Sequence, residues 1–388
     1  MTPDRSPVLV SLARTPVGKF GGALAHLSAL DLGAAAVQAA LEPLDGQVSI
    51  DHTFLGNVVQ AGNGQNPARV AAIRGGVPTT VPGTTINDVC LASLTATGIA
   101  ASMIRGGEID TALVGGFESM SRALHGVQVR AAAKVGHGAL VDLLVNDGLW
   151  CAVSDSGMGE ISDQANREHR ITRADQDEFA CASHRRATAA TESGRFKQEI
   201  RALTDILDTD EGIRPGSTVT KLATLRPTFT EGGTITPGNA SQMSDAAAAG
   251  VLMSPSVADS LGLDPLVEIV DRVVVAGPDP SLHLKPAAAA RVLLDRNGLS
   301  TGDIGLWEIN EAFAGVVLAS ARDLGIDLDR VNVNGGAIAL GHPLAASGFR
   351  ILMTLATEMR LRQQEFGVAT ICGGGGQGQA ILLRLPER

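Results

Sequence analysis

The sequence predicts an α/β protein built from two similar halves with a different segment set between them. Three observations carry that prediction. Short apolar stretches alternate with helical ones at both ends of the chain, the pattern of a largely buried sheet covered by helices. A spacing recurs: Asn57 precedes Cys90 by 33 residues and Asn310 precedes His342 by 32 (90 − 57 and 342 − 310). Each of these later residues is followed by a helix, a strand and a glycine cluster. The stretch 120–242 is richer in charge than what flanks it.

In order, Val8 to Leu12 reads as a buried strand, followed by the turn-rich Arg14-Thr-Pro-Val-Gly-Lys-Phe-Gly-Gly. Ser28 to Leu41 is a helix of small residues, and His52 to Val59 a strand ending at a Gly-Asn loop. Pro67 opens a helix at a first-turn position, where its missing N–H costs nothing. Cys90 falls where a helix of small residues begins, and Asp110 to Gly116 is an apolar strand. In the middle, Thr172 and Asp175 have capping-box spacing. In the last third, helices are expected over Pro286–Asn297, Phe313–Leu324 and Ala346–Leu361, with strands at 304–310 and from Gly367 to the glycines after Cys372.

Bulk properties narrow the function. The chain has 388 residues, is 44% apolar and carries a formal charge of −10. Aromatics make up 3% and tyrosine is missing, so a basic, ring-lined nucleic-acid face is excluded. The four cysteines, 90, 151, 181 and 372, form no C-x-x-C pair and no zinc spacing with histidine. No apolar run is read as long enough to cross a membrane, and neither a signal peptide nor a C-terminal targeting tail is recognised, so a cytoplasmic protein is expected.

Cys90 is the candidate nucleophile. A helix N-terminus presents unpaired N–H groups and partial positive charge, which is expected to lower a thiol pKa. Cys372 stands before four glycines, whose successive N–H groups can form a nest for an oxyanion.

Ordered blocks along the whole chain resemble the thiolase family. They are Arg14–Gly22, Gly64-Gln-Asn-Pro-Ala-Arg, Gly115-Gly-Phe-Glu-Ser-Met-Ser-Arg, Gly238-Asn-Ala-Ser, Asn310-Glu-Ala-Phe-Ala, Asn332 to Pro343 and Cys372-Gly-Gly-Gly-Gly-Gln-Gly. The resemblance implies a thiolase-like fold, two βαβαβαββ halves packed as five layers α-β-α-β-α with an inserted loop domain. The halves would be 1–119, completed by about 243–268, and 269–388, with 120–242 covering the CoA site. It implies an acyltransferase of fatty-acid and lipid metabolism that cleaves 3-ketoacyl-CoA or condenses two acyl-CoA molecules through an acyl-Cys90 intermediate. His342 would activate Cys90, and Cys372 would act as acid/base at the acetyl methyl carbon. Gly374 N–H and Cys90 N–H would hold the thioester oxygen, and Asn310 would hold a water that forms a second oxyanion hole with His342. Ser241, Leu149, Met158 and Phe229 would contact the pantetheine arm and Arg214 the adenine end of CoA. CoA and acyl-CoA would be substrates, with no metal or redox cofactor. Val127–Gly136 resembles a loop that bridges dimers, which implies a homotetramer.

Four departures accompany the resemblance: Gly157 where short-chain members have histidine, Ala345 and Ala246 where glycine is usual, and Leu91 where a small residue is usual. Added methyl groups narrow a close-packed site or shift its loops. A catalytically silent CoA- or lipid-binding protein is therefore weighed beside the enzyme. A ketoacyl-synthase-like condensing enzyme is weighed too, but Cys372 stands where that chemistry uses a second histidine.

Overall fold

The computed structural model describes residues 5–130 and 137–386. The first half contributes strands β1 (Val8–Arg14), β2 (His52–Gly56), β3 (Gly83–Ile86), β4 (Thr111–Ser119) and β5 (Ser244–Met253). Its helices are α1 (Ala29–Leu41), α2 (Pro67–Arg74) and α3 (Ala92–Gly106). The intervening segment carries α4 (Met158–Glu168) and α5 (Arg173–Glu192). The second half supplies β6 (Val267–Ala276), β7 (Leu306–Ile309), β8 (Phe366–Gly373) and β9 (Gln377–Arg384). Its helices are α6 (Lys285–Asn297), α7 (Ala314–Leu324) and α8 (Leu344–Arg362).

The strand orders match between halves: β3-β2-β4-β5-β1 in the first, β7-β8-β9-β6 in the second. In the first run β2 is parallel to both β3 and β4, in the second β7 is parallel to β8, and the remaining pairs of each run are antiparallel. The counterpart of β3 shrinks to a single parallel bridge, Trp307 to Val331. A short antiparallel contact between β1 and β6, Val8 to Glu268 and Leu9 to Val267, joins the two half-sheets.

Three apolar cores set the layers. Leu94 and Ile104 of α3 pack with Phe349, Leu352 and Met359 of α8, between Val114 and Leu252 of one half-sheet and Ile371 and Ile381 of the other. Outside the first half-sheet, α1 and α2 cover Phe117 and Val251; outside the second, α6 and α7 cover Trp307 and Leu382. The result is α-β-α-β-α. Each buried leucine or phenylalanine contributes about 1.5–3 kcal/mol of apolar transfer energy.

Helix ends follow the sequence. Ser28 Oγ accepts from the Asp31 N–H while Asp31 accepts from the Ser28 N–H, both at 3.1 Å. Thr172 and Asp175 form the expected box on α5. One correction concerns membranes. Val89–Gly106, with a mean hydropathy of 1.3 over 18 residues, is long and apolar enough to cross one by composition. It is the small-residue helix at the centre of the molecule, apolar because both its sides face sheets.

Buried charge pins the segment after α5 to both halves. Arg14 clasps Asp210 with two bonds of 2.7 and 2.9 Å, and Arg195 reaches Glu199 at 2.8 Å and Glu358 of α8 at 2.7 Å. Removing one member would leave an uncompensated buried charge, typically a loss of about 3–5 kcal/mol.

Candidate active site

Cys90 lies in the turn between β3 and α3, two residues before the helix proper. Val89, directly ahead of it, has φ +48°, a left-handed conformation that is strained for a β-branched side chain. The N–H groups of Cys90 itself and of Gly374 both point at its sulfur, which places the glycine turn against the nucleophile. Cys372, at the end of β8, lies close enough for Cys90 to affect its ionisation.

The expected depression of the Cys90 pKa is not what the environment produces. Burial pushes the thiol up to about 12, against the two N–H groups that favour the thiolate, and the Glu118 and Asp88 carboxylates push the same way. The physical reason is that desolvation of a sulfur anion outweighs two donors and a helix start. Burial also raises the Cys372 thiol, with Cys90 adding to the shift. Both sulfurs therefore rest as thiols.

His342 is held by its backbone N–H on Gln242 O at 2.8 Å. The preceding Gly341 has φ +118°, and a Cβ there would meet Ser244 Oγ at 2.1 Å, so only glycine fits. Ser347, which the sequence reading passed over, sets the imidazole. Its hydroxyl donates to Pro343 O at 3.0 Å and so must accept the Nδ1–H of His342, 2.6 Å away. That tautomer leaves a lone pair on Nε2, a buried atom with no hydrogen-bond partner among the described residues. Burial, with a smaller contribution from Arg350, lowers the imidazole to about 4 and keeps it neutral. A neutral base and a protonated thiol are the pair general-base activation needs, and the starts of the helices that follow them meet where Phe349 N–H donates to Ser93 Oγ at 2.8 Å.

Asn310 is wholly buried and both polar atoms of its amide lack partners among the described residues. Its neighbour Ile309 is clamped at N–H and C=O by the Asn332 side chain, both at 2.8 Å. A buried amide without a partner costs about 1–3 kcal/mol.

The residues expected to meet CoA divide. Leu149 packs in the apolar cluster that holds Cys90, and Met158 packs against Cys372. Ser241 donates its N–H to Ala312 O at 3.1 Å, beside Phe313, and Phe229 meets Phe313 edge-on with centroids 6.0 Å apart. Arg214 stands apart from this cluster, exposed, reaching the Gln242 side chain at 3.3 Å.

Of the four departures, Leu91 fills the space that Gly373 leaves, since a Cβ on that glycine would lie 2.2 Å from Leu91 Cδ1. Ala345 belongs to the cluster around Cys90, and its N–H donates to Glu118 at 3.3 Å. Ala246 is buried in β5 opposite Glu118, and a Cβ on Gly157 would make ordinary van der Waals contact with Glu160 atoms at 3.6–3.7 Å.

Residues 7–256 match the family described as Thiolase, N-terminal domain, and residues 263–385 that described as Thiolase, C-terminal domain. The chain belongs to the thiolase family. A probable acetyl-CoA acetyltransferase of Mycobacterium leprae is 47% identical over 387 residues, covering 97% of this chain and 98% of the relative. Acetyl-CoA acetyltransferases of Pseudomonas aeruginosa and Escherichia coli are 46% and 44% identical, each over 97% of this chain and 98% of its own length. Cys90, Cys372 and the Gly374 N–H come together from opposite halves of the chain. The family match and these relatives favour the acyltransferase over the condensing enzyme with a second histidine and the silent binder.

Proposed function

We propose that this thiolase transfers acyl groups between CoA thioesters through acyl-Cys90, acting by thiolysis on 3-ketoacyl-CoA or by condensation on acyl-CoA. The observation that carries this reading is the Gly374 N–H aimed at the sulfur of Cys90, with Cys372 beside it. His342 Nε2 takes the Cys90 proton as the sulfur attacks the thioester or ketone carbonyl. The developing oxyanion then lies between the N–H groups of Cys90 and Gly374. In thiolysis the acetyl-CoA enolate departs and its carbon takes the Cys372 proton, while its oxygen is held by His342 and a water on Asn310. CoA then attacks acyl-Cys90, its thiol proton passing to the Cys372 thiolate, and carries the acyl group away as the released Cys90 sulfur takes back the proton held by His342. Every step is carried by sulfur, imidazole and N–H donors, so the scheme calls on no metal or redox cofactor.

Leu149, Met158, Phe229 and Ser241 form the wall along which pantetheine lies, and Arg214 meets the adenine end from the surface. The relatives' names favour acetyl-CoA as acyl donor, whereas glycine at 157, where short-chain members have histidine, favours a bulkier acyl chain. Rapid-quench intact mass spectrometry with acetoacetyl-CoA and longer 3-ketoacyl-CoAs tests the reading. An adduct on Cys90, lost in Cys90→Ala, is expected; acylation persisting in that variant overturns it.

The assembly we propose is a homotetramer, a dimer of dimers. It is supported by the free side of edge strand β3 and by the exposed apolar residues Leu124, Val127, Val129 and Leu140. Residues 131–136 of the bridging loop lie outside the described residues. A stable dimer in light scattering would refute the tetramer.

A further inference from the structure

One polar cluster beneath the nucleophile is not used by the reaction above. Asp88, two residues before Cys90, accepts from Thr95 Oγ1 at 2.7 Å and from Gln377 Nε2 at 3.2 Å. Thr95 sits in the first turn of α3 and Gln377 opens β9. Thr95 Oγ1 also lies 2.8 Å from the Gln379 side-chain oxygen, while the buried Gln379 Nε2 has no partner. One hydroxyl proton cannot serve two acceptors. With the Gln379 amide turned over, its N–H donates to Thr95 and Thr95 donates to Asp88, a relay in which each contact has one donor and one acceptor.

This cluster spans the place where accuracy matters. One end is the turn that carries the Cys90 N–H; the other is the strand following the glycine turn that carries the Gly374 N–H. The halves that supply them are joined here by polar contacts 284 and 289 residues apart in sequence. The turn also contains Val89 at φ +48°. A conformation of that kind costs about 1–3 kcal/mol and persists only where the surroundings hold it. Asn87 Oδ1 accepts the Val89 N–H at 3.2 Å from one side, and Asp88 supplies the ties on the other.

We propose that Asp88 is a positioning residue, which through Thr95 and Gln377 holds the nucleophile's turn to the glycine turn and so sets the two N–H donors of the oxyanion hole. The inference rests on Cys90 being the acylated residue. Displacing one donor by a fraction of an ångström weakens stabilisation of the tetrahedral intermediate while leaving CoA binding largely intact.

The test compares Asp88→Ala, Asp88→Asn and Thr95→Val for acyl-Cys90 formation, KM, thermal midpoint and the pH profile of Cys90 alkylation. Asp88→Ala and Thr95→Val are expected to slow acylation roughly ten- to a hundredfold with KM nearly unchanged. Asp88→Asn keeps an acceptor for Thr95, and its amide N–H meets the Gln377 side-chain oxygen once that amide turns over. It should recover most of the rate. It should also move the alkylation profile to lower pH, because one of the negative charges near Cys90 is gone while Glu118, His342 and Cys372 remain. Acylation at the wild-type rate in Asp88→Ala overturns the proposal. So does a rate loss matched by unfolding, with no shift of the alkylation profile in Asp88→Asn. Failure of the wild-type protein to acylate at Cys90 would instead remove the reading on which the proposal stands.

Discussion

Ser347→Ala is the sharpest test of the nucleophile's activation. The serine hydroxyl is 1% exposed as a residue and its contact with His342 Nδ1 is 2.6 Å. Alanine would leave a buried Nδ1–H unpaired, at a cost of about 1–3 kcal/mol. The imidazole relieves that cost by shifting its proton to Nε2 or by rotating, and either removes the lone pair that accepts the Cys90 proton. The same energy charged to the acylation barrier is roughly a 5- to 150-fold loss of rate. Stopped-flow or rapid-quench measurement of acyl-Cys90 formation reads it directly. KM should change little, because Ser347 lies behind the imidazole. Ser347→Ala acylating at the wild-type rate would refute the tautomer and the role of His342 that depends on it.

Three further outcomes are expected. With Cys90 raised to about 12 and His342 lowered to about 4, the neutral thiol–imidazole pair is the ground state between those values. The pH dependence of kcat/KM for acylation should then be flat across roughly pH 5–9, and an acid limb near 6.5 would contradict it. Gly373→Ala drives a methyl into Leu91 Cδ1, 2.2 Å away, and should lower stability by about 1–3 kcal/mol. The double variant with Leu91→Ala should show a favourable coupling in denaturant melts, and strict additivity would count against the contact. His283, lowered by burial to about 3, stays neutral while its unfolded counterpart protonates near 6.5, so it withdraws stability as pH falls from 6.5 toward 3. His283→Gln should flatten that decline by up to one proton, about 1.4 kcal/mol per pH unit; identical slopes in chemical denaturation would refute the assignment.

The order of elements was legible because it rests on local signals. The Ser28 and Thr172 caps, Pro67 at a first turn and the glycines after apolar runs each act within a few residues. The candidate site could be picked out because Cys90, His342, Cys372 and Asn310 stand in dense blocks. What sequence could not give is whatever depends on three-dimensional company. The direction of the Cys90 shift is decided by burial, which a helix start does not report. Ser347 was hidden because a serine five residues after a histidine at a helix start is ordinary until both hydrogen bonds are seen. Asp88, Thr95 and Gln377 meet only because the halves pack face to face. The helix at Val89–Gly106 illustrates the same limit, since composition cannot distinguish lipid from two sheets.

The repeated fold also explains how one architecture supplies unlike chemistry. Asn57 and Asn310 occupy corresponding places, each directly after a strand with a parallel neighbour in its half. Asn57 is spent on structure: its Nδ2 donates to Phe117 O at 3.1 Å and to Glu118 at 3.0 Å, and its Oδ1 accepts from Asn63 at 3.1 Å. Asn310 has none of these partners, because the loop behind it is held by Asn332 and Glu311 instead. The same pairing relates Cys90 to His342, one before α3 and one before α8, the two helices that share the central core. Packing the halves through those helices brings both starts to one place. Divergence between the copies then needs only side-chain changes at positions the backbone has already brought together. On this argument Asn57→Ala should damage folding through Glu118 and its loop, while Asn310→Ala should spare folding and slow turnover.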